Sequence, residues 1–150
     1  MRRSCRVTGR RAAGLPDGQT RRMDRLSRET IIWLATTRAD GRPHLTPIWF
    51  VWSGERAWIC TSARNVKAHA LRRDPRVIIS LESGTRPLVG EGIAYAHVRP
   101  YPPAVREAFI AKFDWDIDVD DDEGVFDALF EIEVIRWVLG APVSDAPTDD

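Results

Sequence analysis

A cluster of hydroxyl, amide and cationic side chains lies where a strand pattern changes into a helix pattern. Residues 56–60 have the period of a strand, and helical spacing follows from residue 66. The first N–H groups of a helix carry about half a positive charge, so cations beside them repel it unless an anion lies between. The cluster therefore predicts a phosphate site, although an ordinary helix cap with solvated charges is the alternative. The cations of the cluster are Arg64 and Lys67, and its hydroxyl groups are those of Thr61 and Ser62.

Lysine is rare in this chain. Lys67 and Lys112 are the only lysines, and the remaining 20 of the 22 basic residues are arginines. A compact ammonium group binds phosphate as a point charge, whereas a planar guanidinium group needs room for its fork. A lysine at the predicted helix start therefore supports the phosphate interpretation.

Other familiar chemistry is not supported by the sequence. The glycines in residues 90–92 lie within a strand pattern rather than in a phosphate-binding strand–turn–helix. His44, His69 and His97 have no cysteine or carboxylate at a metal-ligand spacing, so we assign no metal. The acidic run 114–123 lacks the glycine and glutamate positions of a calcium loop and is interpreted as a solvated acidic loop.

Length and composition favour one cytoplasmic domain. The 150 residues suffice for a single hydrophobic core, and Cys5 and Cys60 do not form a disulfide framework. We find no apolar run long enough to span a membrane and no secretory signal. We therefore expect a protein of the cytoplasm that binds a small molecule and neither a membrane nor nucleic acid.

The charge is unevenly distributed along the chain. Residues 1–22 carry seven arginines against Asp17, which gives +6 and leaves −6 for the remainder. This segment has no apolar periodicity, so we expect a disordered basic extension, a domain over 23–141 and a disordered tail over 142–150. Two alternatives are that translation begins at Met23, or that the extension is an arm for nucleic acid or a polyanionic ligand.

Alternating apolar residues and turn signals predict a mainly β, α+β protein with a closed or partly closed barrel. Two helices are expected, at about 64–73 and 104–113. Six tryptophans are many for this length, and Trp49 lies one strand from the predicted phosphate site, where it could form a flat apolar wall. The six expected strands are 31–37, 44–52, 56–60, 76–81, 88–98 and 128–139.

Three segments carry a resemblance to a known family: HLTPIWFVW, TSARNVK and ALRRDPRVIISLESGTRP. Together they resemble the pyridoxamine-5′-phosphate-oxidase-like split-barrel oxidoreductases, and in particular the deazaflavin branch that uses coenzyme F420. The similarity is good over residues 26–98 and looser from residue 113 through residue 137. It implies a six-stranded antiparallel split β-barrel with two or three peripheral helices. It also implies a homodimer, with the cofactor in a groove between the subunits.

The resemblance implies roles for particular residues. The loop of Thr61, Ser62, Arg64, Asn65 and Lys67 corresponds to the phosphate site. The strand residues Pro47, Ile48 and Trp49 correspond to the backbone that lines the tricyclic ring, and Trp137 corresponds to a residue that approaches the ring from the partner subunit. No catalytic acid is assigned.

The implied activity is hydride transfer between F420 and a small organic substrate. Surplus arginines such as Arg72 and Arg73 favour F420, which has a glutamyl tail. The alternatives are an FMN-dependent oxidase or reductase of the pyridoxamine phosphate oxidase type, and a non-catalytic protein that binds flavin, haem or a tetrapyrrole.

Overall fold

The computed structural model describes residues 17–120 and 125–140. In this part of the chain, seven strands form one antiparallel sheet and three helices pack around it. The strands are β1 Ile31–Thr37, β2 Pro43–Trp49, β3 Val51–Ser53, β4 Arg56–Thr61, β5 Arg76–Leu81, β6 Val89–His97 and β7 Ala128–Leu139. The helices are α1 Asp17–Arg28, α2 Val66–Arg73 and α3 Pro103–Phe113.

The sheet is rolled because its two edge strands are consecutive in the chain. The strand order is β2-β1-β5-β6-β7-β4-β3, and Phe50 alone separates β2 from β3. The Phe50 side chain is fully buried, and its N–H donates to the Thr30 carbonyl at 3.2 Å. The prediction of one continuous strand over 44–52 was therefore wrong. Burial of Phe50 turns the chain from one edge to the other, so the sheet has seven strands rather than six and is not closed.

Side chains along the strands alternate between the inner and the outer face of the sheet, and those on the inner face form the core. Ile32 and Leu34 of β1 are fully buried, while Trp33 between them faces outward. In β5, Val77 and Ile79 point to the same inner side. Each such aliphatic side chain contributes about 1.5–3 kcal/mol by leaving water. The inner face thus fixes which strand residues are available to line a site.

The helices differ from the sequence prediction in two respects, the start of α2 and the presence of α1, which was not predicted. Helix α2 begins at Val66 rather than at residue 64, because the chain first makes a turn in which the Asn65 N–H donates to the Ser62 carbonyl at 3.0 Å. Helix α1 extends on both sides of residue 23, so the expected domain boundary falls inside a helix that buries Leu26.

The predicted basic extension and C-terminal tail concern residues 1–16 and 141–150, which lie outside the described part of the chain. None of the helices in the described part of the chain is long and apolar enough to cross a membrane.

Candidate functional site

The incomplete closure of the sheet leaves a gap between β2 and β4. Strand β2 pairs on one side only, with β1, and β3 pairs with β4 no further than Trp58. The last residues of β4 therefore have a backbone edge that faces β2. A cavity of about 520 Å³ opens here. It is lined by Ile48, Trp49, Cys60, Thr61, Asn65, Lys67, Asp114, Trp115 and Phe126.

The structure brings most of the predicted site residues together. Of the nine, the cavity wall includes Ile48, Trp49, Thr61, Asn65 and Lys67. An adjoining depression of about 430 Å³ shares Asn65 and Phe126 with the cavity and also contains Ser62 and Arg64.

Two predicted residues lie outside the cavity of this chain. Pro47 is exposed on the outer face of β2, opposite Trp33 in the register. Trp137 lies on β7, where its ring is 6.4 Å from Trp52 and beneath the Arg22 guanidinium of α1 at 5.0 Å. Any contact of Trp137 with a ligand of this cavity would have to come from a second copy of the chain.

The start of α2 has no side-chain cap. Asn65 occupies the N-cap position, but its amide donates to Thr61 Oγ1 at 2.7 Å instead of accepting from the helix backbone. The first turn contains no acidic residue, and Lys67 adds a positive charge. Burial lowers the pKa of Lys67 from its ordinary value. The helix end is therefore electropositive and has donors free for an anion.

The cations near this helix start form no ion pairs, a property they share with several other described arginines such as Arg86. Within residues 17–120 and 125–140, eight arginines form ion pairs, but Arg38, Arg64 and Lys67 form none. The pKa of His44 is lowered first by burial and then by the charges of Arg38 and Lys67. His44 Nδ1 and Arg38 Nε are also buried without hydrogen-bond partners among the described residues. This side of the site therefore carries several cations without ion pairs in the described part of the chain, with the Asp127 carboxylate bound to the Ala63 N–H in the turn before α2.

The opposite wall of the cavity is aromatic. The Trp49 ring stacks on Phe113 with centroids 4.6 Å apart and planes 4° from parallel. Trp115 meets Trp49 edge-on at 6.3 Å and Phe126 edge-on at 5.2 Å. Each such pair contributes about 0.5–1.5 kcal/mol, so the flat wall is held in place before any ligand arrives.

Cys60 is not a nucleophile in this arrangement. Burial raises the pKa of its thiol to about 12, and Sγ lies 3.5 Å from the Phe126 carbonyl. A thiol with this pKa is protonated at neutral pH and unreactive. The cavity therefore offers binding groups rather than a covalent catalyst.

Sequence reasoning missed four residues of the cavity lining, which are Cys60, Asp114, Trp115 and Phe126, and also Phe113, which stacks on Trp49. All except Cys60 lie far along the chain from the predicted cluster. The looser resemblance over residues 113–137 was the one signal that pointed to them. The acidic run 114–123 was expected to be solvated; among its described carboxylates Asp116 pairs with Arg106 at 2.6 Å, and beyond the run Asp127 accepts from the Ala63 N–H at 2.8 Å.

An open, rolled antiparallel sheet with a polar and aromatic cavity in its gap is consistent with the split-barrel class of proteins. Residues 20–106, more than half of the chain, match the family model of pyridoxamine 5′-phosphate oxidase. The chain therefore belongs to the pyridoxamine 5′-phosphate oxidase family. No curated protein sequence matches it.

The solved structures that are similar to this chain include the following three. A conserved hypothetical protein from Mycobacterium tuberculosis is 28% identical, with a TM-score of 0.61 and coverage of 87% of this chain and 88% of that chain. An F420 reductase is 21% identical, with a TM-score of 0.60 and coverage of 76% and 93%. The haem storage protein HutZ from Vibrio cholerae is 22% identical, with a TM-score of 0.62 and coverage of 79% and 89%. At these identities the last two similarities concern the fold alone.

Proposed function

We propose that this protein is an oxidoreductase that uses the deazaflavin F420 to transfer a hydride to or from a small organic substrate. The observation that carries the proposal is one cavity with an uncapped, cationic helix start on one side and a stacked aromatic wall on the other. A phosphorylated cofactor with a planar ring is complementary to both sides. Bound F420 supplies the hydride chemistry.

The residues of the chain bind and orient the cofactor in this proposal. Lys67 and the first N–H groups of α2 hold the phosphate, with Thr61, Ser62, Arg64 and Asn65 around it. The backbone edge of Pro47, Ile48 and Trp49 runs along the ring. The aromatic wall excludes water from the reacting face, and holding the ring in one orientation favours direct transfer.

Cations beyond the phosphate site favour F420 over FMN. Arg72 and Arg73 form no ion pair among the described residues, and both side chains are exposed in the last turn of α2. A cofactor with further carboxylates would find partners there, whereas FMN carries one phosphate. FMN remains the second candidate, because the family match is to pyridoxamine 5′-phosphate oxidase.

Haem is a weaker fit to the same cavity. Its described lining contains no histidine, tyrosine or methionine that could be an axial ligand. Cys60 lines it as a protonated thiol rather than as a thiolate.

We further propose that the protein is a cytoplasmic homodimer. Large apolar side chains are exposed along the outer face of the sheet, including Trp33 at 37%, Ile78 at 44% and Ile135 at 62%. Pro47 and Trp49 are on the same side of β2, so this face reaches the cavity. A second copy covering it would place the cofactor near the interface and could bring the partner's Trp137 to the ring. Contiguous apolar faces of this kind are typical of protein interfaces.

Titration of the purified protein with F420 and with FMN tests the proposed function. We expect F420 to bind more tightly and its affinity to fall more steeply with salt, because more charges are involved. Lys67→Ala should weaken both cofactors about tenfold to hundredfold by removing a charge-assisted contact. Arg86→Ala, an exposed cation elsewhere, is the control and should change neither. If the wild-type protein binds neither cofactor, the proposal is wrong.

A further inference from the structure

The carboxylates of the loop that follows α3 differ in what they contact. Four of the five described ones hold the loop together, and the fifth, Asp114, lines the cavity. The Asp114 carboxylate has no hydrogen bond or ion pair within residues 17–120 and 125–140. The contacts of the other four are Asp116 with Arg106 at 2.6 Å, Asp118 with the Tyr101 N–H at 3.2 Å, Asp120 with Arg99 at 2.7 Å, and Asp127 with the Ala63 N–H at 2.8 Å.

Asp114 is exposed to solvent, and two features of its position at the end of α3 are unfavourable for an aspartate. Its backbone is left-handed, with φ 52° and ψ 38°, and its N–H donates to the Ile110 carbonyl at 2.9 Å. Glycine is the usual residue for this conformation at a helix end. The C-terminus of α3 is also the negative end of the helix dipole, which disfavours a carboxylate there. Neither cost is offset by a contact of the side chain among the described residues.

The two helix ends that border the cavity have matching features. The positive end of α2 carries the cation Lys67, and the negative end of α3 carries the anion Asp114. In both cases the side chain has the same sign as the helix end, and in both cases no counter-ion is present among the described residues. A ligand with an anionic group near α2 and a hydrogen-bond donor near α3 would offset the like-charge repulsion at both helix ends.

We propose that Asp114 is a binding residue that accepts a hydrogen bond from an N–H group on the edge of the bound ring. This rests on the proposed function, because flavin and deazaflavin rings both carry an imide N–H on the edge of the pyrimidine ring. The carboxylate would fix which end of the ring faces α3 and would repel a second anion at that end. Asp114 thereby sets the orientation of the ring, while Lys67 sets the position of the phosphate.

The test compares each cofactor with a derivative methylated at the imide nitrogen. Dissociation constants are measured by fluorescence for F420, FMN and their methylated forms. For whichever cofactor binds, the wild-type protein should prefer the unmethylated ring about tenfold, as expected for a hydrogen bond to a charged acceptor. In Asp114→Gly, which suits the left-handed backbone, the preference should fall to within twofold. Asp114→Asn keeps the shape and one acceptor oxygen, so its preference should be intermediate.

Each variant serves as its own reference, because both ligands are measured on the same protein and any loss of folded protein affects both equally. Lys67→Ala should weaken both forms and leave their ratio unchanged. Asp116→Asn, in the same loop but outside the cavity wall, should also leave the ratio unchanged. If Asp114→Gly keeps the tenfold preference while the cofactor still binds, the inference about Asp114 is overturned and the proposed function stands. If no cofactor binds to the wild-type protein, both are overturned.

Discussion

Lys112 is a buried ammonium group beneath the aromatic wall, and replacing it with methionine tests the electrostatics of that region. Its Nζ atom has no hydrogen-bond partner among the described residues and lies 4.2 Å from the centroid of the Phe50 ring. Burial lowers the pKa of Lys112 from 10.5 to about 8, with Glu29 opposing the change. The charged amine therefore destabilises the folded state at neutral pH, and Lys112→Met should remove this cost.

The expected magnitude follows from two opposing effects. The difference between the two pKa values corresponds to at most ~3 kcal/mol. The side chain is only partly buried, which reduces this figure, and the contact with Phe50 favours the charged form by about 0.5–2 kcal/mol. We therefore expect Lys112→Met to raise the free energy of unfolding by about 1–2 kcal/mol at pH 7.

The lowered pKa of Lys112 determines how the free energy of unfolding changes with pH. Below pH 8 the amine is protonated in both the folded and the unfolded chain, so the full penalty is present. Between pH 8 and 10.5 the unfolded chain keeps a proton that the folded chain has released, so the free energy of unfolding rises with pH. Cys60 opposes this above pH 9, because burial raises the pKa of its thiol from 9.0 to about 12 and the folded chain then keeps the extra proton.

Urea denaturation of both proteins from pH 7 to pH 10.5 measures the effect of Lys112 alone, because Cys60 contributes equally to each. The stability advantage of Lys112→Met should be largest at pH 7 and should shrink between pH 8 and 10.5. Arg86→Met, at an exposed position, is the control and should show no such change. A difference that is constant with pH, or a wild-type protein that is more stable at pH 7, would refute the reasoning.

Two further predictions concern the sheet. Gly92→Ala should destabilise the fold by about 1–3 kcal/mol, because the new Cβ would lie 2.5 Å from the Glu133 carbonyl oxygen; Gly84→Ala, with nothing within 4 Å, should be nearly neutral in the same denaturation assay. Ile78→Glu should convert the proposed dimer to a monomer in light scattering, whereas Val98→Glu, which places the same charge beyond the end of β6, should not. A monomeric wild-type protein, or a dimeric Ile78→Glu variant, would contradict the proposed interface.

The strands were largely predictable because their signals are local. Strands β1, β5 and β7 begin and end where the apolar alternation does, and Gly41 and Gly54 make the expected turns with φ of 85° and 59°. The division at Phe50 was not predictable. The segment 44–52 reads as one strand, and the reason for its break is burial of a single ring against residues distant in the chain.

The site was predictable where it is contiguous in sequence. Thr61 to Lys67 share one turn and one helix start, so their types and spacing were enough to indicate an anion site. The aromatic wall combines Trp49 with Phe113 and Trp115, which approach it only when α3 packs against β3 and β4. The local sequence around Trp115 does not predict which aromatic ring its side chain contacts in the folded protein.

Lys67 and Asp114 show why one half of the candidate site could be predicted from the sequence and the other half could not. A cation at a helix start is unusual in the sequence itself, because the start of α2 is marked by the change in periodicity. Asp114 stands in an acidic run where one more aspartate carries no information. Its significance depends on which of the five carboxylates find partners, and those partners are arginines and backbone N–H groups brought in by the folded loop. Unpaired charge is a property of the tertiary structure, so Asp114 is distinguished from its neighbours only after the contacts of every neighbouring charge are known.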